Sequence, residues 1–237
     1  MQIVSFVNRG YHGHIVTVEV DLRCGIPGMD IVGLPDSAVR EARERVRAAV
    51  RNSGFRVPRR RILINLAPAG VKKQGAAFDL PIAAALLTVD MQVPSPPGMS
   101  LLIVGELELS GRIRPVAGVL AAVHAALQSG ADLCIVPPEN LNEARTVAGG
   151  KAIALAHLAE MPHLFTLLTH GAQAGWQPEY MPQNGLMDNA LTSSSDNTTD
   201  TPAEPGLDYA ELSGQEELKR ACVIAAAGRH HMLIFGP

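Results

Sequence analysis

Aromatic side chains are scarce in this sequence, at 4% of 237 residues with a single tryptophan. Surfaces that hold single-stranded nucleic acid by stacking bases need several such rings, so any nucleic-acid contact is expected to fall on the phosphate backbone. Cysteine is scarcer still. Cys24, Cys134 and Cys222 are scattered, with no C-x-x-C pair, which argues against a disulfide framework and against a zinc site. Cys134 and Cys222 sit in apolar runs and read as small buried hydrophobes. His12-Gly13-His14 and His230-His231 have no neighbouring Cys or carboxylate to complete a ligand set, so no metal is expected. No run approaches the roughly 18 apolar residues of a membrane helix. "MQIVSFVNRGYHG" lacks a basic leader before a long apolar stretch, so the reading is a cytoplasmic protein with no membrane partner. A net charge of −3 excludes a polybasic molecule; a nucleic-acid surface would need local segregation of charge.

What is present is enough for a core: 47% hydrophobic residues, in a length that suits one ordinary domain plus extra material. In "HIVTVEVDL" (14–22), Val16, Val18, Val20 and Leu22 alternate with Thr17, Glu19 and Asp21, the period of a half-buried strand. "GMDIVGL" is a shorter strand. The period then changes, and Val39, Ala42, Val46, Ala49 and Val50 fall at helical spacing between an Asp36 N-cap and a Gly54 stop. "RRRILINLAP" predicts a strand, and "FDLPIAAALLTV" a helix with Pro81 in its first turn. "LLIVGELELSGRIRPV" predicts a hairpin of two apolar arms around Ser110-Gly111. A helix follows with Val119, Leu120, Val123 and Leu127 on one face, then a strand at "ADLCIVP", a short helix, a strand at "KAIALAH" and a last helix to about Thr169. These alternations predict an α/β domain, an α+β sandwich, over residues 1–170.

Residues 171–207 carry no Lys or Arg and are rich in Ser, Thr, Asn and Pro, so a disordered linker is expected there. Residues 208–237 become helical and apolar again, as the edge of a second domain. They end in a short apolar strand, Met232–Phe235, followed by Gly236 and Pro237. A phosphate-binding loop of the form G-x-x-x-x-G-K-[ST] follows such a strand, and Gly236 could be its first glycine.

Positive charge is concentrated. Arg40 to Arg61 holds nine of the twenty Lys and Arg, and Lys72 and Lys73 add two. Arg40, Arg43, Arg47 and Arg51 form one stripe opposite the apolar helix face, continued by Arg56, Arg59, Arg60 and Arg61. Such a stripe suits DNA phosphates. It is equally the pattern of a solvated face, partly neutralised by Glu41 and Glu44, or of a contact between subunits.

"LSGQEELKRACVIAAAGRHHMLIFGP" resembles the entry to the AAA+ module of magnesium chelatase-like ATPases. "FVNRGYHGHIVTVEVDLRCGIPGMDIVGLPDSAVREARERVRAA", "RILINLAPAGVKKQGAAFDLPIAAALL" and "VGELELSGRIRPVAGVLAAV" resemble their ComM/YifB branch. The resemblance implies an N-terminal Lon-protease-like domain of the ribosomal S5 domain 2-like fold, a AAA+ motor binding ATP and Mg²⁺, self-association into a hexameric ring through that motor, and DNA as partner in branch migration. It implies that this chain is the first domain, a linker and an incomplete start of the motor, cut within a P-loop at Gly236-Pro237. Lon-type peptidases use a serine activated by a lysine. The motif places Ala77 where the serine would stand and Leu120 where the lysine would stand, so peptidase activity is rejected. Lys72, Lys73 and Gln74 flank that lost dyad, as ligands of a relict pocket or as ordinary loop residues. The competing expectation for the whole domain is a protein–protein adaptor without DNA binding.

Overall fold

The computed structural model describes residues 1–9, 12–170, 214–228 and 232. The chain divides into two compact units, residues 1–183 and 184–237. The expected linker at 171–207, the expected strand beyond Met232 and the P-loop residues Gly236 and Pro237 lie outside the described residues.

The first unit is built on a seven-stranded sheet. In chain order its elements are β1 (Gln2–Arg9), β2 (His12–Arg23), β3 (Gly28–Val32), α1 (Ser37–Asn52), β4 (Arg61–Ala67), α2 (Asp79–Val89) and β5 (Ser100–Ile103). There follow β6 (Glu106–Leu107), β7 (Ile113–Arg114), α3 (Val119–Gln128), β8 (Leu133–Val136), α4 (Leu141–Ala148), β9 (Ala152–Ala154) and α5 (Met161–His170). The sheet order is β3-β4-β2-β1-β5-β8-β9. β2 is antiparallel to both β1 and β4; the other four pairings are parallel. β6 and β7 form a separate two-stranded ribbon.

Alternation along β1 and β2 decides which layer each residue joins. Ile3 and Val7 of β1 and Val16 and Val18 of β2 enter one core with α1, α2 and α5. Val4 and Phe6 turn the other way, into a second core with α3, α4 and the opposite face of β8. α1 buries Val39, Ala42, Val46, Ala49 and Val50, the five residues its spacing predicts. Burial of each of its three valines stabilises the fold by about 1.5–3 kcal/mol. Asp36 caps α1 as predicted: its Oδ1 accepts from the Val39 N–H at 2.8 Å. α2 is buried along most of its length, Asp79 to Leu87, because it is enclosed between α1 and the sheet.

Two expectations are corrected. The stretch 101–116 is not one hairpin. Its first arm is β5, which lies between β1 and β8 in the main sheet, and only Glu106–Leu107 and Ile113–Arg114 pair with each other. Gly105 makes the break; its N–H donates to Ala77 and its carbonyl accepts from Leu80. On α3 the buried residues are Val119, Ala122, Val123 and Ala126, whereas Leu120 is 47% exposed. α3 packs its alanine face inward because it lies very close to the sheet: a Cβ at Gly13 would come within 2.6 Å of the Ala121 carbonyl oxygen.

In the second unit, Glu216–Ala227 forms α6, with Lys219 3.4 Å from Glu216 and with Val223 and Ile224 exposed. No described helix is long and apolar enough to cross a membrane.

Candidate functional site

Along α1 the predicted basic stripe has Arg40, Arg43 and Arg51 exposed and Arg47 half-buried. On α1, Arg40 Nε donates to the Asp36 carbonyl at 3.3 Å and Arg43 Nε to the Arg40 carbonyl at 3.0 Å. Arg47 lies 3.9 Å from Glu44, and Arg61 pairs with Asp30 at 3.3 Å. Arg45, on the boundary between the polar and apolar faces, turns inward to Asp79. Lys72 is exposed. Lys73 is not a surface cation at all, which corrects its expected place among DNA contacts. It is fully buried, its Nζ donates to the Pro68 carbonyl, and burial pushes its ammonium below the usual lysine range.

The basic residues gather most closely at the C-terminal end of α1. Arg51, Arg56, Arg59 and Arg60 surround a concavity of about 820 Å³ whose floor includes Phe55 and whose one acidic member is Asp90. All four arginines are exposed, and among the described residues none of their guanidinium groups makes an ion pair or hydrogen bond. The loop that carries three of them is held by Gln92. Its Oε1 accepts from the Arg56 N–H at 2.8 Å and its Nε2 donates to the Arg56 carbonyl at 2.6 Å. Gln92 also donates to Asp90 at 2.8 Å, so the acid is occupied by an amide rather than by an arginine. Four guanidinium groups against one carboxylate leave the rim net positive, and each presents a planar donor fork to phosphate oxygens. Sequence reasoning found all four arginines but not Gln92, which lies 36 residues from its partner with no local pattern to announce it.

The two positions that the resemblance matches to a Ser-Lys dyad, Ala77 and Leu120, are absent from the rim lining. Ala77 lines a second cleft beside the start of α2, together with Gln74. Leu120 lies outside that lining, near the start of α3, where its N–H donates to Glu143 at 2.9 Å. Lys73 immediately precedes the cleft lining but directs its ammonium to Pro68.

A mostly parallel sheet with helices on both faces fits the Lon-like domain that the resemblance implies, and residue 77 within it is an alanine. A family model described as subunit ChlI of Mg-chelatase matches residues 18–140, and a second, magnesium chelatase subunit ChlI, matches residues 208–237. The chain belongs to this Mg-chelatase ChlI family of AAA+ Mg-chelatase-like proteins. Over 235 residues, 99% of this chain and 43% of the relative, it is 35% identical to competence protein ComM of Haemophilus influenzae. It is also 35% identical to YifB of Escherichia coli over 228 residues, 96% of this chain and 41% of the relative. A Lon protease of Trichlorobacter lovleyi is 23% identical over 164 residues, 65% of this chain and 20% of that protein, which bears on the fold alone. The chain thus spans about two-fifths of the length of its ComM and YifB relatives.

Proposed function

We propose that residues 1–170 form a non-catalytic Lon-like domain that places DNA phosphates against Arg51, Arg56, Arg59 and Arg60 for a ComM/YifB-type motor. The observation that carries this reading is the four-arginine rim, whose guanidinium groups make no ion pair and face a single carboxylate, Asp90, in the lining. Ion pairs account for Arg45 and Arg61, whereas this rim is an electrostatic debt that a polyanion can settle by releasing its condensed counterions. The contact would follow the backbone and be only weakly selective for base sequence, because the rim offers one aromatic ring, Phe55, and that ring is half-buried. ATP and Mg²⁺ belong to the motor in this proposal, as does assembly into a hexameric ring. Branch migration would be the work of the whole assembly. With Ala77 and Leu120 at the dyad positions, the domain would have no nucleophile or base for peptide cleavage.

A second reading has one observation in its favour. Strand β3 is an edge of the sheet, and Ile26, Val32 and Leu34 around it are exposed, as they would be on an adaptor that docks another protein. Fluorescence anisotropy with a labelled DNA duplex at low and at moderate salt separates the two. Binding that collapses with salt and is lost in Arg56→Glu/Arg59→Glu supports DNA contact. No binding at low salt, with retained self-association, supports the adaptor.

A further inference from the structure

Strand β1 is paired unequally on its two sides. Against β2 the ladder runs from Val4 to Arg9, but against β5 it stops at Val4 opposite Leu102. Past Ile103 the chain turns away: the Val104 N–H donates to Ile135 at 3.1 Å, and the Gly105 N–H donates to Ala77 at 3.3 Å. From Phe6 to Asn8, therefore, the side of β1 that faces away from β2 has no strand beside it. Among the described residues its main-chain groups find no partner outside the sheet. An open strand edge carries unpaired donors and acceptors at the spacing of another extended chain.

A cleft of about 330 Å³ opens along this edge, lined by Asn8 on one side and by Gln74, Ala77, Glu106 and Val116 around it. Its walls are fixed. Buried Asn140 brackets Val116, accepting from its N–H at 3.0 Å and donating to its carbonyl at 3.0 Å, and donates also to Glu143 at 3.2 Å. The Gly75 N–H donates to Asp36 at 3.3 Å, and the Ala77 carbonyl is held by Gly105. Glu106 is the one charged group in the lining. It is half-buried and, among the described residues, its carboxylate has no ion pair and no hydrogen bond. Arg45, whose charge acts on Glu106, is already engaged by Asp79 through two hydrogen bonds. The side-chain amides of Asn8 and Gln74 are exposed and have no partner among the described residues.

We infer that this cleft binds an extended peptide segment carrying a lysine or arginine. The segment adds to the free edge of β1 through main-chain hydrogen bonds and sets its cation against Glu106. The amides of Asn8 and Gln74 are within the cleft to take its flanking main-chain groups. Polyanions are the wrong ligand here, since the only charge in the lining is negative and a phosphate would be repelled. Ala77 offers no nucleophile, so the segment is held and released intact. This site is independent of the arginine rim and of the DNA reading.

The test uses the ¹⁵N-labelled 237-residue chain and blocked heptapeptides of alternating valine and threonine around one central residue. With central lysine, saturable shifts are expected at the amides of Phe6–Asn8 and Gln74–Ala77. With central glutamate, affinity should fall by about fivefold or more, and Glu106→Gln should remove that difference. Methylating the peptide's alternate amide nitrogens on the edge-facing side should abolish binding. No saturable shift through the millimolar range overturns the inference. So do equal affinities of the wild-type protein for the lysine and glutamate peptides, shifts confined to other residues, or a preference that survives Glu106→Gln.

Discussion

Arg45 and Asp79 hold α1 against the start of α2 with a two-pronged ion pair. Arg45 Nε donates to Asp79 Oδ2 at 2.7 Å and Nη2 donates to Oδ1 at 3.0 Å. The same Nη2 donates to the Ala38 carbonyl, and the Leu107 N–H donates to Asp79 at 3.3 Å, so one carboxylate ties together two helices and the β6–β7 ribbon. The Asp79 side chain is fully buried, while Arg45 keeps 23% of its side chain in contact with solvent.

That asymmetry predicts unequal losses. Arg45→Met strands a buried carboxylate and should cost about 3–5 kcal/mol at neutral pH, read from urea unfolding. Asp79→Asn leaves an arginine that can still reach water and should cost less. Burial already pushes the Asp79 carboxyl above its ordinary value, and Arg45 opposes the rise. Without Arg45, folded Asp79 would hold its proton to higher pH than the unfolded chain does, so stability falls as pH rises between the two values. The deficit of Arg45→Met should therefore shrink on acidification. A deficit that is flat with pH would mean that Asp79 is solvated.

The Arg45–Asp79 pair marks the boundary of what the sequence made legible. Periodicity located α1 and its Asp36 cap, because five apolar residues at helical spacing report directly on a buried face. It could not show that Arg45, on the same helix as the stripe but not part of it, turns inward to Asp79, since the partner lies 34 residues away and the choice is made by packing. The same holds for β5. An apolar run followed by Gly-rich turns reads equally as a hairpin arm or as a central parallel strand, and long-range pairing with β1 and β8 decides it. Lys73 was misplaced because a lysine in a Gly-rich loop gives no sign that the loop folds over it. The four rim arginines were legible one by one; that the loop carrying three of them is tied down at Arg56 depends on Gln92.

Lys73 should make stability depend on pH in the alkaline range. Its folded ammonium titrates below the ordinary 10.5 because it is desolvated, so between the two values the unfolded chain holds more protons. Stability should rise as pH climbs through that window. Compared with Lys73→Met, the wild-type urea midpoint should gain on going from neutral pH toward the ordinary lysine value. Parallel pH profiles for the two proteins would show that the ammonium is hydrated in the fold.

Two glycines hold α3 in place and should differ in their tolerance of a methyl group. At Gly13 the added Cβ meets main chain, the carbonyl of Ala121, so Gly13→Ala must push the helix off the sheet. A cost of about 2–3 kcal/mol is expected, typical of overpacking. At Gly118, φ is 81° and the obstacle is the side chain of Asn8, which is exposed and can swing away. Gly118→Ala should cost about 1–2 kcal/mol, mostly from the left-handed backbone. Equal losses in thermal or urea unfolding would contradict the close approach at Ala121.

Cys134 and Cys24 should separate sharply in thiol labelling. Burial pushes the Cys134 thiol up to about 11, whereas Cys24 is exposed. At pH 8 roughly one in a thousand Cys134 thiols is ionised, and the thiolate is the reactive form. Native protein should react with a thiol reagent at Cys24 within the mixing period of an ordinary assay and at Cys134 only on unfolding. Rapid native labelling of Cys134 would mean that the α3–α4 layer opens easily.

The arginine rim makes a quantitative statement about salt. If all four guanidinium groups meet duplex phosphates, log K should fall against log salt with a slope of about −3 to −4, at roughly 0.9 per contact. Each single change among Arg51, Arg56, Arg59 and Arg60 to glutamine should flatten the slope by about one and weaken binding to unrelated sequences alike. Arg61→Gln is the internal control. It has the same charge and lies one residue from Arg60, but it is paired with Asp30 and absent from the rim lining, so its removal should leave the slope nearly unchanged. Simple net charge would predict the same effect for all five arginines. A slope that responds equally to Arg61→Gln and Arg60→Gln would make the interaction a diffuse attraction to a basic face, and the rim would lose its claim to be a site.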